Sequence, residues 1–91
     1  MKRDQNGFMD VRELGIIGTL NDTVSELHRE GLAPGQQATI LKVKHLGSFG
    51  ITVLARTPVG PLSLNLNRIN LPTDTIAVLT DHASFDVAVR R

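Results

Sequence analysis

A strict alternation of leucine with polar residues at positions 62–67 is the strongest constraint on the fold of this chain. The run reads Leu-Ser-Leu-Asn-Leu-Asn. Successive side chains of a β-strand point to opposite faces of the sheet, so the leucines share one face and the polar residues share the other. A pairing shift of one residue would expose every leucine, which sets the register firmly. The pattern predicts a strand with one buried face.

Other segments predict further strands, separated by residues that favour turns. Residues 51–56 place Ile51, Val53 and Ala55 on one face. Residues 38–43 are sufficiently apolar and β-branched for a strand, and the adjacent pair Ile40 and Leu41 indicates cover on both faces or a bulge. The remaining predicted strands are residues 11–18, which Gly15 and Gly18 interrupt, a core strand at 76–79 and an edge strand at 85–89. Five or six short strands predict a mainly β fold, a small barrel.

One short helix is predicted between the first two strands. Thr23 and Glu26 have the spacing of a capping box, in which each side chain bonds a backbone amide at the start of a helix. Val24 and Leu27 share one face, and Gly31 stands where a helix C-cap is expected. Two helical turns are unstable alone in water, so we expect one short capping α-helix packed on the barrel.

Composition limits the class of protein. Residues 1–10 are polar and predict a flexible N-terminal tail before a single domain of residues 11–91. The chain has no cysteine, which excludes a disulfide scaffold and a cysteine nucleophile. Ten basic and nine acidic residues are spread along the chain, which argues against a nucleic-acid partner. No stretch approaches the ~20 apolar residues of a membrane span, and a cytoplasmic location is expected.

The most specific motif lies between the predicted helix and the next strand. The chain reads Gly-Leu-Ala-Pro-Gly from Gly31 to Gly35, and Leu46 follows eleven residues after Gly35. Pro34 and Gly35 would turn the chain into the strand, Leu46 would close that strand and Gly47 would permit a tight reversal. This motif indicates a fixed helix-to-strand connection.

The arrangement resembles the ferrous-iron transport protein A (FeoA) family over roughly residues 20–55, and more weakly over 62–66. The resemblance implies an SH3-like barrel that serves as an accessory and regulatory module of bacterial ferrous-iron uptake. It implies docking on the cytosolic GTPase region of a FeoB-like membrane transporter, so that the membrane is reached only through the partner. A protein-binding module of this kind is not expected to be an enzyme or to need a cofactor.

The candidate partner-binding residues lie at the predicted helix exit and in the later turn: Leu32, Ala33, Pro34, His45 and Phe49. For Leu32 and Leu46, burial in the core is the preferred expectation over a role in partner binding. Phe49 stands between a serine and a glycine, and a large apolar side chain exposed on a loop is a suitable contact anchor.

Metal binding and catalysis have weaker support. His28, His45 and His82 lack the close spacing of a metal site, and we expect solvent-facing or lightly packed side chains. Asp81, His82 and Ser84 include the residue types of a catalytic triad, but neighbours on one segment rarely meet its geometry. No catalytic or metal residue is therefore predicted.

A nucleic-acid-binding small barrel is the alternative function. Such surfaces combine stacking aromatic side chains with lysine and arginine. Lys42 and Lys44 alternate on one predicted strand, and Phe49 follows in the next turn. Two lysines at alternate positions also occur on any solvated strand face, so protein binding is the preferred hypothesis.

Overall fold

The computed structural model describes residues 7–89, except the side chains of residue 49 and residues 84–89. Within this range the six strands are Met9–Asp10 (β1), Ile17–Leu20 (β2), Gln37–His45 (β3), Ile51–Thr57 (β4), Gly60–Asn65 (β5) and Ile69–Asn70 (β6). The 3-10 helices are Arg12–Leu14 (η1), Asp22–Leu27 (η2), Gly47–Phe49 (η3) and Leu66–Arg68 (η4). The α-helix Thr73–Val89 (α1) follows β6.

The strands form one antiparallel sheet that curls into a half-barrel. Their order is β5-β4-β3-β2-β6, and β1 pairs with β3 beyond the end of β2. The fold is therefore mainly β and consistent with a small SH3-like barrel, as predicted.

The inner face of the sheet carries the core. Leu64 of β5 pairs with Val53 of β4, Val53 pairs with Val43 of β3, and Val43 pairs with Met9 of β1. All four side chains are buried. This row of cross-strand neighbours joins four strands around one apolar centre, and packing of this kind is the main source of sheet stability.

The strongest sequence patterns are confirmed. Leu64 is buried in β5, and Leu62 packs half-buried against the core. The strand ends at Asn65, two residues earlier than predicted, and Leu66 is buried from the 3-10 helix η4. The buried face of β4 carries the three predicted residues, Ile51, Val53 and Ala55. The pairing of β3 with β4 shifts between residues 40 and 42, so the predicted bulge is present.

The last two residues of the predicted N-terminal tail, Met9 and Asp10, form the strand β1 and are not part of a flexible tail. Met9 is 1% exposed and pairs with Val43, and Asp10 pairs with Lys42. The earlier tail residues 1–6 lie outside the described part of the chain. The ordered domain therefore begins before residue 11, because a buried methionine ties this segment to the sheet.

The predicted strand at residues 11–18 is only partly correct. Arg12–Leu14 forms the 3-10 helix η1, which ends at Gly15, and the strand β2 runs from Ile17 to Leu20. The Gly15 conformation, with φ of 63°, separates the two elements.

The capping helix is a 3-10 helix and begins earlier than predicted. Its N-cap is Asn21, whose side-chain oxygen accepts a hydrogen bond from the Thr23 backbone N–H at 2.9 Å. Glu26 contacts Arg68 at 3.3 Å, although the capping box would have turned it back to the helix start. The C-cap is His28, with φ of 50°, and not Gly31 as predicted. The helix still packs on the barrel, because Val24 is buried.

The two predicted C-terminal strands are wrong, since residues 76–79 and 85–89 belong to α1. Leu79 and Ala83 are both fully buried. They are four residues apart, and such residues lie on one face of an α-helix. That face packs against the sheet, chiefly against β3.

Candidate partner-binding site

The loop of residues 31–36 leads into β3 and is held by hydrogen bonds on both sides. The Gln36 side-chain amide donates to the Gly31 carbonyl, and its oxygen accepts from the Ala33 N–H, each at 2.9 Å. The Gly35 N–H donates to the Leu20 carbonyl at 2.7 Å, and the Leu20 N–H donates to the Gln36 carbonyl at 2.8 Å. One glutamine side chain and one strand thus fix the loop conformation.

The same loop presents an apolar tip to solvent. Ala33 and Pro34 are exposed, whereas Leu32 packs partly buried against the core. Gly31 has φ of 85°, and a Cβ atom there would lie 2.7 Å from Cγ1 of Val59. Only glycine fits this contact between the loop and the turn joining β4 to β5. The glycine that begins the Gly-Leu-Ala-Pro-Gly motif is therefore required for steric reasons.

A shallow depression of about 450 Å³ adjoins the loop tip. It is lined by Leu20, Asn21, Asp22, Pro34, Gly35 and Asn70. The Asn21 side-chain amide donates to the Asn67 carbonyl at 2.6 Å, which fixes its orientation. The depression therefore places hydrogen-bonding side chains beside the exposed Pro34.

The five predicted contact residues fall into two groups at opposite ends of β3. Leu32, Ala33 and Pro34 precede this nine-residue strand, whereas His45 ends it and Phe49 follows in η3. At about 3.3 Å per residue the strand separates the groups by roughly 26 Å. The two groups therefore form two separate patches at opposite ends of this strand.

The turn at the far end of β3 is organised by His45. Its Nδ1 atom accepts a hydrogen bond from the Gly47 N–H at 3.0 Å. Leu46 is 38% exposed, so its expected place in the core is wrong. It lies after the last paired residue of β3, beyond the buried row. The Phe49 side chain lies outside the described part of the structure.

A basic region lies on the outer face of β3, which carries Lys42 and Lys44. The Lys44 ammonium lies 5.4 Å from the centre of the Phe8 ring. Asp10 pairs with Lys42 across the strands and forms a 2.6 Å ion pair with Arg12. Hydrogen bonds from Arg12 hold the pKa of the Asp10 carboxyl below its usual value. Phe8 belongs to this region although it falls within the predicted N-terminal tail, where no contact was expected.

The histidines are separated in the fold. His28 ends η2, His45 ends β3, and His82 lies in α1 with its Nδ1 atom 2.9 Å from the Val78 carbonyl oxygen. Among the side chains that the structure describes, no three His, Cys, Asp or Glu residues form a group that could hold a metal ion. The Ser84 side chain lies outside that part.

Within residues 7–89, none of the helices has both the length and the apolar character required to cross a membrane. Comparisons with known proteins find no match, whether among family models, curated proteins or solved structures.

Proposed function

We propose that this domain is a FeoA-like protein-binding module of ferrous-iron uptake that docks on the cytosolic GTPase region of a membrane transporter. The observation that carries the proposal is the loop of residues 31–36. It exposes Ala33 and Pro34 on a backbone fixed by Gln36, and it contains the motif on which the FeoA resemblance rests. In this proposal the domain works in the cytoplasm, at the membrane only through its partner.

A braced loop is well suited to binding. Ordering a mobile loop on association costs free energy, and a loop already held in one conformation avoids most of that cost. The Gln36 hydrogen bonds and the Gly31 contact with Val59 supply this order in the free domain. The surface is therefore ready to dock without rearrangement.

Replacing Ala33 by aspartate is expected to weaken binding to the GTPase region at least tenfold, or about 1.4 kcal/mol. The new carboxylate would enter the contact and lose its water without a partner, whereas the Ala33 backbone bond to Gln36 can remain. Isothermal titration of the isolated GTPase domain, with GDP and with a non-hydrolysable GTP analogue, measures the change.

The matched control is Ser48→Asp, because Ser48 is exposed at the opposite end of the barrel. This variant should bind as tightly as the wild type. The proposal would be contradicted if the wild-type domain bound the GTPase domain in neither nucleotide state. It would also be contradicted if Ala33→Asp bound as tightly as the wild type.

Single-stranded nucleic-acid binding is a second candidate function, favoured by the Lys44 ammonium over the Phe8 ring. An aromatic ring beside basic side chains can stack a base while the cations contact phosphate. Fluorescence anisotropy with a labelled oligonucleotide tests this function at about 50 and 200 mM salt. This candidate requires affinity that falls steeply with salt and is lost in Lys44→Glu.

A further inference from the structure

The strand β5 ends the sheet, and its outer edge is open. Thr57 and Gly60 pair directly across a two-residue turn, so they exchange backbone hydrogen bonds. Bonded pairs alternate along an antiparallel ladder and recur at Leu62 and Leu64. The backbone N–H and carbonyl groups of Ser63, and the carbonyl of Pro61, therefore point away from β4. This placement suits Pro61, which has no N–H to donate to β4.

Unpaired backbone groups line this edge. Ser63 directs its N–H and its carbonyl outward, and Pro61 adds a carbonyl. Within the described residues no strand pairs with β5 on that side. Such a row of donors and acceptors is a template for another extended segment.

A groove of about 370 Å³ runs beside the open edge. It is lined by Leu27, His28, Arg29, Leu62, Ser63 and Leu64. Leu27 is 38% exposed and Leu62 is half-buried, so both leucines can be contacted from the groove. Arg29 and His28 are its titratable residues, and no carboxylate lines it among the described side chains.

We propose that the β5 edge binds an extended peptide segment of a partner protein as an added strand. The backbone groups of Ser63 and Pro61 would pair with the segment, and its apolar side chains would contact Leu27 and Leu62. An acidic residue of the segment would lie near Arg29, which provides the complementary charge. Strand addition uses backbone bonds for affinity and alternate side chains for specificity.

This inference goes beyond the proposed function, because it uses a different surface from the loop of residues 31–36. Binding of an acidic peptide and binding of the GTPase domain are separate measurements. Either one can fail while the other succeeds.

The direct test uses a labelled eight-residue peptide that alternates valine with glutamate and is blocked at both ends. Fluorescence anisotropy should show saturable binding with a Kd below about 1 mM. Ser63→Pro should weaken it at least tenfold, because the proline removes the outward donor and leaves the ladder to β4 intact. Arg29→Glu should also weaken it, while Arg12→Glu, at an exposed arginine of η1 that does not line the groove, should not.

A backbone variant of the peptide makes the test independent of protein stability. Methylation of alternate peptide nitrogens removes the hydrogen bonds and should abolish binding to the wild-type domain. Unchanged binding of the methylated peptide, or no binding of the parent peptide, would overturn the proposal. Sedimentation showing a wild-type dimer that Ser63→Pro dissociates would also overturn it, since the edge would then belong to a second copy.

Discussion

Replacing Leu64 by aspartate is expected to unfold the domain. Leu64 is 5% exposed and lies at the end of the buried row formed with Val53, Val43 and Met9. Truncating a buried leucine to alanine costs about 2–5 kcal/mol. A carboxylate at the same place adds the cost of removing a charge from water without a partner. The sum approaches the total stability of a small domain, about 5–15 kcal/mol.

The neighbouring residue supplies the control. Ser63 is exposed on the opposite face of β5, so Ser63→Asp should retain the fold. Circular dichroism should show a cooperative melt for Ser63→Asp and none for Leu64→Asp. A Leu64→Asp protein with the wild-type melting temperature would mean that the leucines face solvent.

Replacing Gly18 by alanine is expected to destabilise the domain by about 1–3 kcal/mol, the usual range for overpacking a core. A Cβ atom at Gly18 would lie 2.7 Å from the Asn70 carbonyl oxygen and from Cδ2 of Leu71. It would also lie 2.8 Å from Cγ2 of Ile69. Because one of these atoms is backbone, β6 itself must move away from β2.

Thermal melts of Gly18→Ala and Ile17→Ala measure the two changes in stability. The comparison distinguishes a clash between β2 and β6 from the effect of any substitution in β2. Ile17 is 54% exposed, so its truncation should change the stability little. For a domain of this size each kcal/mol shifts the melting temperature by roughly 4–8 °C. Equal melting temperatures for wild type and Gly18→Ala would show that β6 does not pack closely on β2.

The parts of the fold that the sequence predicts well are those with one buried face. In β4 and β5, alternation places Val53 and Leu64 inward, and no other register buries both strands. The bulge in β3 was visible as adjacent apolar residues at 40 and 41, which a regular strand cannot bury together.

The C-terminal helix was missed because its apolar residues are mostly β-branched or small. Ile76 and Val78 favour strands, yet both remain at least 36% exposed on α1. Two signals did indicate a helix: Pro72 just before it with Asp74 in its first turn, and the four-residue spacing of Leu79 and Ala83.

The candidate site was only half predictable. The exposed tip at Ala33 and Pro34 followed from the Pro-Gly motif. His45 lies far from that tip because the nine residues of β3 separate them in an extended conformation. The bracing role of Gln36 requires two side-chain hydrogen bonds across a turn, and no spacing rule predicts that pair.

The most direct test of the proposed function is an NMR titration of the ¹⁵N-labelled domain with the unlabelled GTPase domain of a ferrous-iron transporter. We expect the largest amide shift changes at residues 31–36 and only small changes at residues 47–50. An unchanged spectrum, or changes confined to residues 47–50 or to the outer face of β3, would contradict docking through the braced loop.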